Sequence, residues 1–142
     1  MILALEQARL GAVAGEVPVG AVIVKDGAVI ISAHNLTRSL PDPTAHAELL
    51  AIRMAAQALG TERLDGCDLY VTLEPCAMCA GAIAHARIAR LYYGAPDPKG
   101  GGVEHGARVF EQAQCHHRPE VYGGLGEAEA AQLLKGFFAG RR

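Results

Sequence analysis

The period of the apolar positions changes repeatedly along the chain, and each change marks an element. Ile2, Leu5, Ala8 and Ala12 recur at helical spacing, which predicts a helix over residues 2–14 ended by Gly15. Pro18 to Lys25 is instead a continuous apolar run, Val19-Gly20-Ala21-Val22-Ile23-Val24, as in a strand covered on both faces. Asp26-Gly27 is a tight-turn signal, so Ala28 to Ala33 should return antiparallel to it. Pro41 and Pro43 keep helix out of a loop over residues 34–44. A helix should then run from Thr44, whose side-chain oxygen can cap it, to about Leu59. Leu49, Ile52, Ala56 and Leu59 form its apolar stripe, and Gly60 ends it.

Cys67 to Leu73 reads as a third strand, and Pro75 sits just before a short helix from Cys76 to about Ala86. Ile88 to Gly94 is a fourth strand. Ala95 to Glu104, rich in Gly and Pro, is too short for an interdomain linker and reads as a loop at the edge of a site. A helical segment near residues 106–112, a short strand at Glu120–Tyr122 and a last helix over Glu127–Ala139 follow. Ala130, Leu134 and Phe137 mark the buried stripe of that helix, widened by Ala131 and Phe138. A hairpin followed by alternating helix and strand implies an α/β fold, a mixed sheet between layers of helices. Parallel strands with helical crossovers place ligands at the carboxyl edge of the sheet. Two motifs fall there: His46-Ala47-Glu48 opens the helix after the second strand, and Glu74-Pro75-Cys76-Ala77-Met78-Cys79 follows the third.

Cys76 and Cys79 are three residues apart at a helix start, so their sulfurs share a face. The positive end of the helix favours thiolate over thiol there. Alone, a C-x-x-C fits redox chemistry, structural zinc or accident. Alone, His46 is an ordinary half-buried histidine, and Glu48 is a first-turn glutamate satisfied by the helix dipole. Together they supply three ligands suited to zinc and one carboxylate that need not bind it. Three protein ligands with a fourth position left for water is the composition of a catalytic zinc site. Two thiolates, a neutral imidazole and Zn2+ sum to zero charge, and zinc can bring the pKa of its water down to about 7. Glu48 leaves the helix in a different direction from His46, yet both can reach a point beyond the helix end. Such a carboxylate can take the water's proton and pass it to a leaving group. Cys67, at a strand start, reads as a small buried apolar residue. Cys115-His116-His117 either lines the site, meets phosphate or belongs to a surface loop; a fourth ligand from it would make the site structural.

Composition sharpens this only in places. A chain of 142 residues suits one domain, residues 1–142, and 51% hydrophobic with 20% charged residues makes it an ordinary globular protein. Aromatics are only 5% and Trp is absent, so the core must be aliphatic and any base-stacking platform has few rings. A net charge of −2 gives no general argument for nucleic acid. Arg87, Arg90, Lys99, Arg108 and Arg118, set against Asp97, Glu104 and Glu111, form either a local basic patch or a mixed solvated surface. Glu6, Gln7 and Arg9 interrupt the N-terminal apolar residues, which argues against a signal peptide. No apolar run approaches the roughly 20 residues that cross a bilayer. A cytoplasmic location is expected, with no membrane association and no disulfide framework.

Ala45-His46-Ala47-Glu48 and Pro75-Cys76-Ala77-Met78-Cys79 resemble the H-x-E and P-C-x-x-C signature of the zinc-dependent cytidine deaminase-like superfamily. Val17-Pro18-Val19-Gly20-Ala21, Asp42-Pro43-Thr44, Leu73-Glu74, Ala80-Gly81-Ala82, His85-Ala86-Arg87-Ile88, Gly94-Ala95, Asp97-Pro98-Lys99 and His117-Arg118-Pro119-Glu120-Val121 extend the likeness. Over most of the chain it is similar to the bacterial tRNA-specific adenosine deaminases within that superfamily. The resemblance implies a three-layer α/β/α sandwich around a five-stranded mixed sheet, assembled as a homodimer. It implies conversion of adenosine to inosine at the wobble position of a tRNA anticodon stem-loop. His46, Cys76 and Cys79 would bind one zinc ion per subunit, and Glu48 would be the catalytic proton shuttle. Asn35, Ala47 and Asp97 would meet the substrate, Asn35 by a hydrogen bond to the flipped base. The loop around Asp97 and the last helix near Phe137-Phe138 would touch the anticodon loop. Gly100-Gly101-Gly102-Val103-Glu104-His105 departs from the family, where more Ala and a Ser are expected. His116 stands where Asn is common, and Gly136 where a polar residue is expected; all three departures lie on the RNA side. Two other readings remain open at this point. The same apparatus would serve a deaminase of free guanine, cytosine or their nucleosides. A non-catalytic module stabilised by zinc would make Glu48 incidental.

Overall fold

The computed structural model describes residues 1–140. Helix α1 (Ile2–Val13) leads into a hairpin of β1 (Gly20–Lys25) and β2 (Ala28–His34). Then come α2 (Ala47–Leu59), β3 (Cys67–Leu73), α3 (Ala77–Ala86), β4 (Arg90–Ala95), a single 3-10 turn (Val109–Glu111), β5 (Glu120–Tyr122) and α4 (Glu127–Ala139). The strands form one sheet in the order β2-β1-β3-β4-β5. β1 is antiparallel to both β2 and β3, and β3, β4 and β5 run parallel. On one face α2 packs on β1 and β2 and against α3; on the other, α1 packs on β1 and against α4, which lies over β4. This is the expected three-layer sandwich with a mixed five-stranded sheet.

Local chemistry accounts for most of the boundaries. Asp26 and Gly27 both take positive φ, 51° and 78°, which lets a two-residue turn follow the twist of the hairpin. Gly60 ends α2 in the left-handed region at φ 68°, where a side chain is strained. The continuous apolar run of β1 buries Ala21, Val22 and Ile23, because helices cover both faces of the sheet there.

Four expectations need correction. Helix α2 begins at Ala47 with His46 at its N-cap, and Thr44 does not cap it. The Thr44 hydroxyl donates instead to Asp42 Oδ1 at 2.7 Å, closing the preceding turn. The buried stripe of α2 is Ala47, Glu48, Ala51 and Ala55, with Ile52, Ala56 and Leu59 partly buried beside it and Leu49 outside it. Alanines at the closest approach let the helix lie near the sheet, so the bulky positions sit on the flanks. In α4, Ala130 is buried and Leu133 and Leu134 pack at the core, but Ala131 and Phe138 are exposed. That helix covers β4 and only the margin of β3, so a single narrow stripe meets the sheet. The segment near residues 106–112 is helical only over Val109–Glu111.

The topology gathers one edge. Gly20 at the start of β1 pairs with His34 at the end of β2, and Leu73 and Ala95 pair at the ends of β3 and β4. Asn35, the entry to α2 and the Glu74–Cys76 turn all leave the sheet on this side. No helix among the described residues is long and apolar enough to cross a membrane.

Candidate active site

Two helix N-termini meet at this edge, and both carry metal-ligand candidates. His46 occupies the N-cap of α2, Cys76 the N-cap of α3, and Cys79 lies in the first turn of α3. His46 Nδ1 is 3.7 Å from Cys76 Sγ and 3.4 Å from Cys79 Sγ. The three donor atoms lie within 4.8 Å of one another, and no fourth side chain joins the group among the described residues. A tetrahedral zinc with Zn–N near 2.0 Å and Zn–S near 2.3 Å holds such donors about 3.5 Å apart, so the set fits the ion. Its electrostatics fit as well. The Cys79 thiol donates to Cys76 and, against the cost of burial, pulls the Cys76 pKa down to about 4. The same contact and burial push the Cys79 thiol up. Hydrogen bonding to Cys76 raises the His46 imidazole. These contacts favour the thiolate form at Cys76, the form that binds zinc.

Glu48 is 4% exposed and faces the same group, within hydrogen-bonding reach of the Cys79 thiol and of its own main-chain N–H. Burial is the largest influence on it and raises its pKa. Asn35 is buried next to it in the chain fold, and its Oδ1 accepts the Ala47 N–H at 2.8 Å. That bond, from twelve residues upstream, satisfies the free donor at the start of α2. Ala47 itself is fully buried, and its N–H is already engaged by Asn35. His46, Glu48, Cys76, Cys79, Asn35 and Ala47 thus come together. Asp97 stands apart on the loop after β4: its N–H donates to Glu74 Oε1 at 3.0 Å, and its Oδ1 accepts from Gly100 N at 2.9 Å.

Two buried glutamates near the pocket carry no signal in the hydrophobic pattern. Glu74, 2% exposed, accepts the main-chain N–H groups of Asp97, Val103, Glu104 and His105 and the His105 Nδ1–H. Glu16 accepts from Arg38 N at 3.1 Å, Ser39 N at 2.7 Å and Ser39 Oγ at 2.6 Å. Other candidates prove to be bracing. Cys115 donates to the His117 carbonyl at 3.1 Å, and His117 Nε2–H donates to the Ile88 carbonyl at 2.6 Å. Arg90, at the start of β4, pairs with Asp68 at the opposite end of the sheet from the site. The basic residues between 87 and 118 are therefore not one patch.

The family model described as the cytidine and deoxycytidylate deaminase zinc-binding region matches residues 1–95. The chain is 61% identical over 142 residues to a tRNA-specific adenosine deaminase of Agrobacterium fabrum, covering all of this chain and 93% of that one. It is 47% identical over 137 residues to a tRNA-specific adenosine deaminase of Rickettsia bellii, covering 95% and 94%. A solved structure from a study of A-to-I editing by tRNA:A34 deaminases at the wobble position superposes with a TM-score of 0.93 at 63% identity, over 94% of this chain and 97% of that one. The signature donors, the sheet that presents them and the overall likeness agree, and the chain belongs to the zinc-binding cytidine and deoxycytidylate deaminase family.

Proposed function

We propose that this protein is a tRNA-specific adenosine deaminase, converting adenosine and water to inosine and ammonia at the anticodon wobble position. The observation that carries this reading is a three-donor cluster with no fourth side-chain ligand among the described residues, beside a buried carboxylate, in a chain similar to tRNA-specific adenosine deaminases. His46, Cys76 and Cys79 would hold one zinc ion per subunit. Bound zinc supplies a Lewis acid that makes water at its open position a nucleophile near neutral pH. Glu48 would take a proton from the attacking water on a carboxylate oxygen and give it to the purine ring, and would then carry a second from the new oxygen at C6 to the departing amino nitrogen. Its raised pKa suits a group that must hold a proton between the two transfers. Asn35 donates from its amide nitrogen to the base, its orientation fixed because Oδ1 is held by the Ala47 N–H. The target adenine has to leave its stack to reach this depth. Asp97 and its loop then flank the neighbouring nucleotides.

A homodimer accords with α3, where Met78 is exposed and no atoms crowd Gly81, so another helix can approach closely. Sedimentation of the zinc-loaded protein at twice the chain mass is the expected result. A protein that modifies tRNA works in the cytoplasm. The direct test is inosine detection in an anticodon stem-loop incubated with purified protein, beside free adenosine, cytidine and guanine. Glu48→Gln should keep its zinc and lose inosine formation by about 10²-fold or more, the scale of a removed general acid–base. Near-normal turnover by that variant refutes the assigned role. Turnover of a free base with none of the hairpin refutes the RNA substrate, and a steep salt dependence of hairpin affinity supports it.

A further inference from the structure

Glu74 is one turn of chain from the metal donors, yet its carboxylate faces away from them and into a loop. Oε1 accepts from Asp97 N at 3.0 Å and His105 Nδ1 at 2.7 Å. Oε2 accepts from Val103 N at 3.2 Å, Glu104 N at 3.0 Å and His105 N at 3.1 Å. Five donors from residues 97–105 therefore converge on one buried anion. The loop also lies directly on the turn that carries the cysteines. Gly102 N donates to the Pro75 carbonyl at 2.8 Å. A Cβ built on Gly102 would stand 2.5 Å from Ala77 N, and one on Gly101 would stand 2.5 Å from Glu74 Oε2. Both glycines are there for close approach, not for slack. At the outer side the Tyr93 hydroxyl donates to the Glu104 carboxylate.

We propose that Glu74 is a positioning residue for the RNA: it holds loop 97–105 in place before the substrate arrives, as a preformed wall beside the metal pocket. The proposal rests on the tRNA-deaminase reading above. A loop already ordered does not have to be ordered by the ligand, so affinity rises without any new contact. A carboxylate is required because both of its oxygens accept. An amide would turn an NH2 group toward the three N–H donors of residues 103–105 or toward Asp97 and His105, and one side of the clasp would open. His105 supplies the one side-chain donor in the clasp, and that side chain is partly exposed. Its loss removes a single donor and leaves the four main-chain bonds.

The test compares zinc-loaded wild type, Glu74→Gln and His105→Ala on an adenosine-containing anticodon stem-loop, with metal content measured on each. Glu74→Gln should raise KM about tenfold or more while kcat stays within about threefold and zinc content is unchanged, because lost ground-state binding appears in KM alone. His105→Ala should raise KM about threefold. An unchanged KM in both variants overturns the proposal. So does a collapse of kcat accompanied by zinc loss at unchanged KM, which would assign Glu74 to the metal turn instead. If Glu74→Gln does not fold, His105→Ala decides alone, since its site is at the surface of the clasp. A wild type inactive on the stem-loop but active on a free base defeats the parent reading; an active wild type with unaltered KM in the variants defeats only this one.

Discussion

The loop after β2 and the loop after β4 leave the same edge of the sheet and are fastened by the same device, a buried glutamate that collects main-chain N–H groups. Glu16 holds residues 38 and 39 through three bonds, and Glu74 holds residues 97–105 through five. The arrangements are mirror images in the chain. Glu16 lies outside the site, and the loop it ties has the site at both ends: Asn35 at one, His46 at the other, with Leu36 N donating to the Ala45 carbonyl to close its base. Glu74 lies inside the cysteine-bearing turn, and the loop it ties is peripheral. The first loop therefore places the Asn35 and His46 side chains, and the second lies against the turn that leads to Cys76. Because both clasps read backbone and hardly any side chain, the tied loops can change sequence without coming loose, except at Gly101 and Gly102, where a Cβ would strike the clasp or the α3 turn.

The comparison makes the Glu74 clasp the stronger one, and truncation should rank them. In Glu74→Ala four main-chain donors and an imidazole lose a buried acceptor, with about 1–3 kcal/mol at stake for each group that water cannot reach. A net loss on the order of 3–4 kcal/mol is expected once the loop relaxes into solvent. Glu16→Ala strands three donors on exposed residues, and about 1–2 kcal/mol is expected. Urea unfolding of both variants at saturating zinc gives the order, and a larger loss for Glu16→Ala would reverse the comparison.

Legibility in the sequence follows the range of the interaction. The metal donors were readable because helix geometry fixes the i, i+3 pair at Cys76 and Cys79 locally, and because His46 and Glu48 share one helix start. β3, β5 and α4 were readable from period and punctuation, and their bounds match the structure. The cap of α2 was not, because Asn35 supplies the acceptor from across a loop while the nearer Thr44 is engaged by Asp42. The two clasps were not legible for the same reason. A glutamate at a strand end looks alike whether it meets water or donors 23 to 31 residues away. Gly101 and Gly102 read only as part of a Gly- and Pro-rich loop at the edge of a site, since spacing alone does not reveal that the Glu74 carboxylate and the α3 turn stand against them. Ala131 and Phe138 fit a helical stripe that the sheet is too narrow to meet.

Acid probes the Glu16 clasp when wild type is set beside a variant that cannot titrate there, and gives the smallest of these effects. The amide and hydroxyl donors of Arg38 and Ser39 outweigh burial and hold the Glu16 carboxyl below its usual range. A group whose folded pKa is depressed contributes stability that is fully present above its unfolded value, near 4.3. That contribution is lost as pH falls through the folded value. Glu16→Gln cannot titrate, so between about pH 5 and pH 3 its unfolding free energy should fall less steeply than that of wild type. At neutral pH the variant should be the weaker of the two, by about 1 kcal/mol, and the gap should narrow as acid protonates Glu16 in the wild type. Parallel pH–stability curves for the two proteins would mean that the donors from Arg38 and Ser39 do not distinguish the ionised carboxylate from an amide, and the likeness between the two clasps would then be one of shape only.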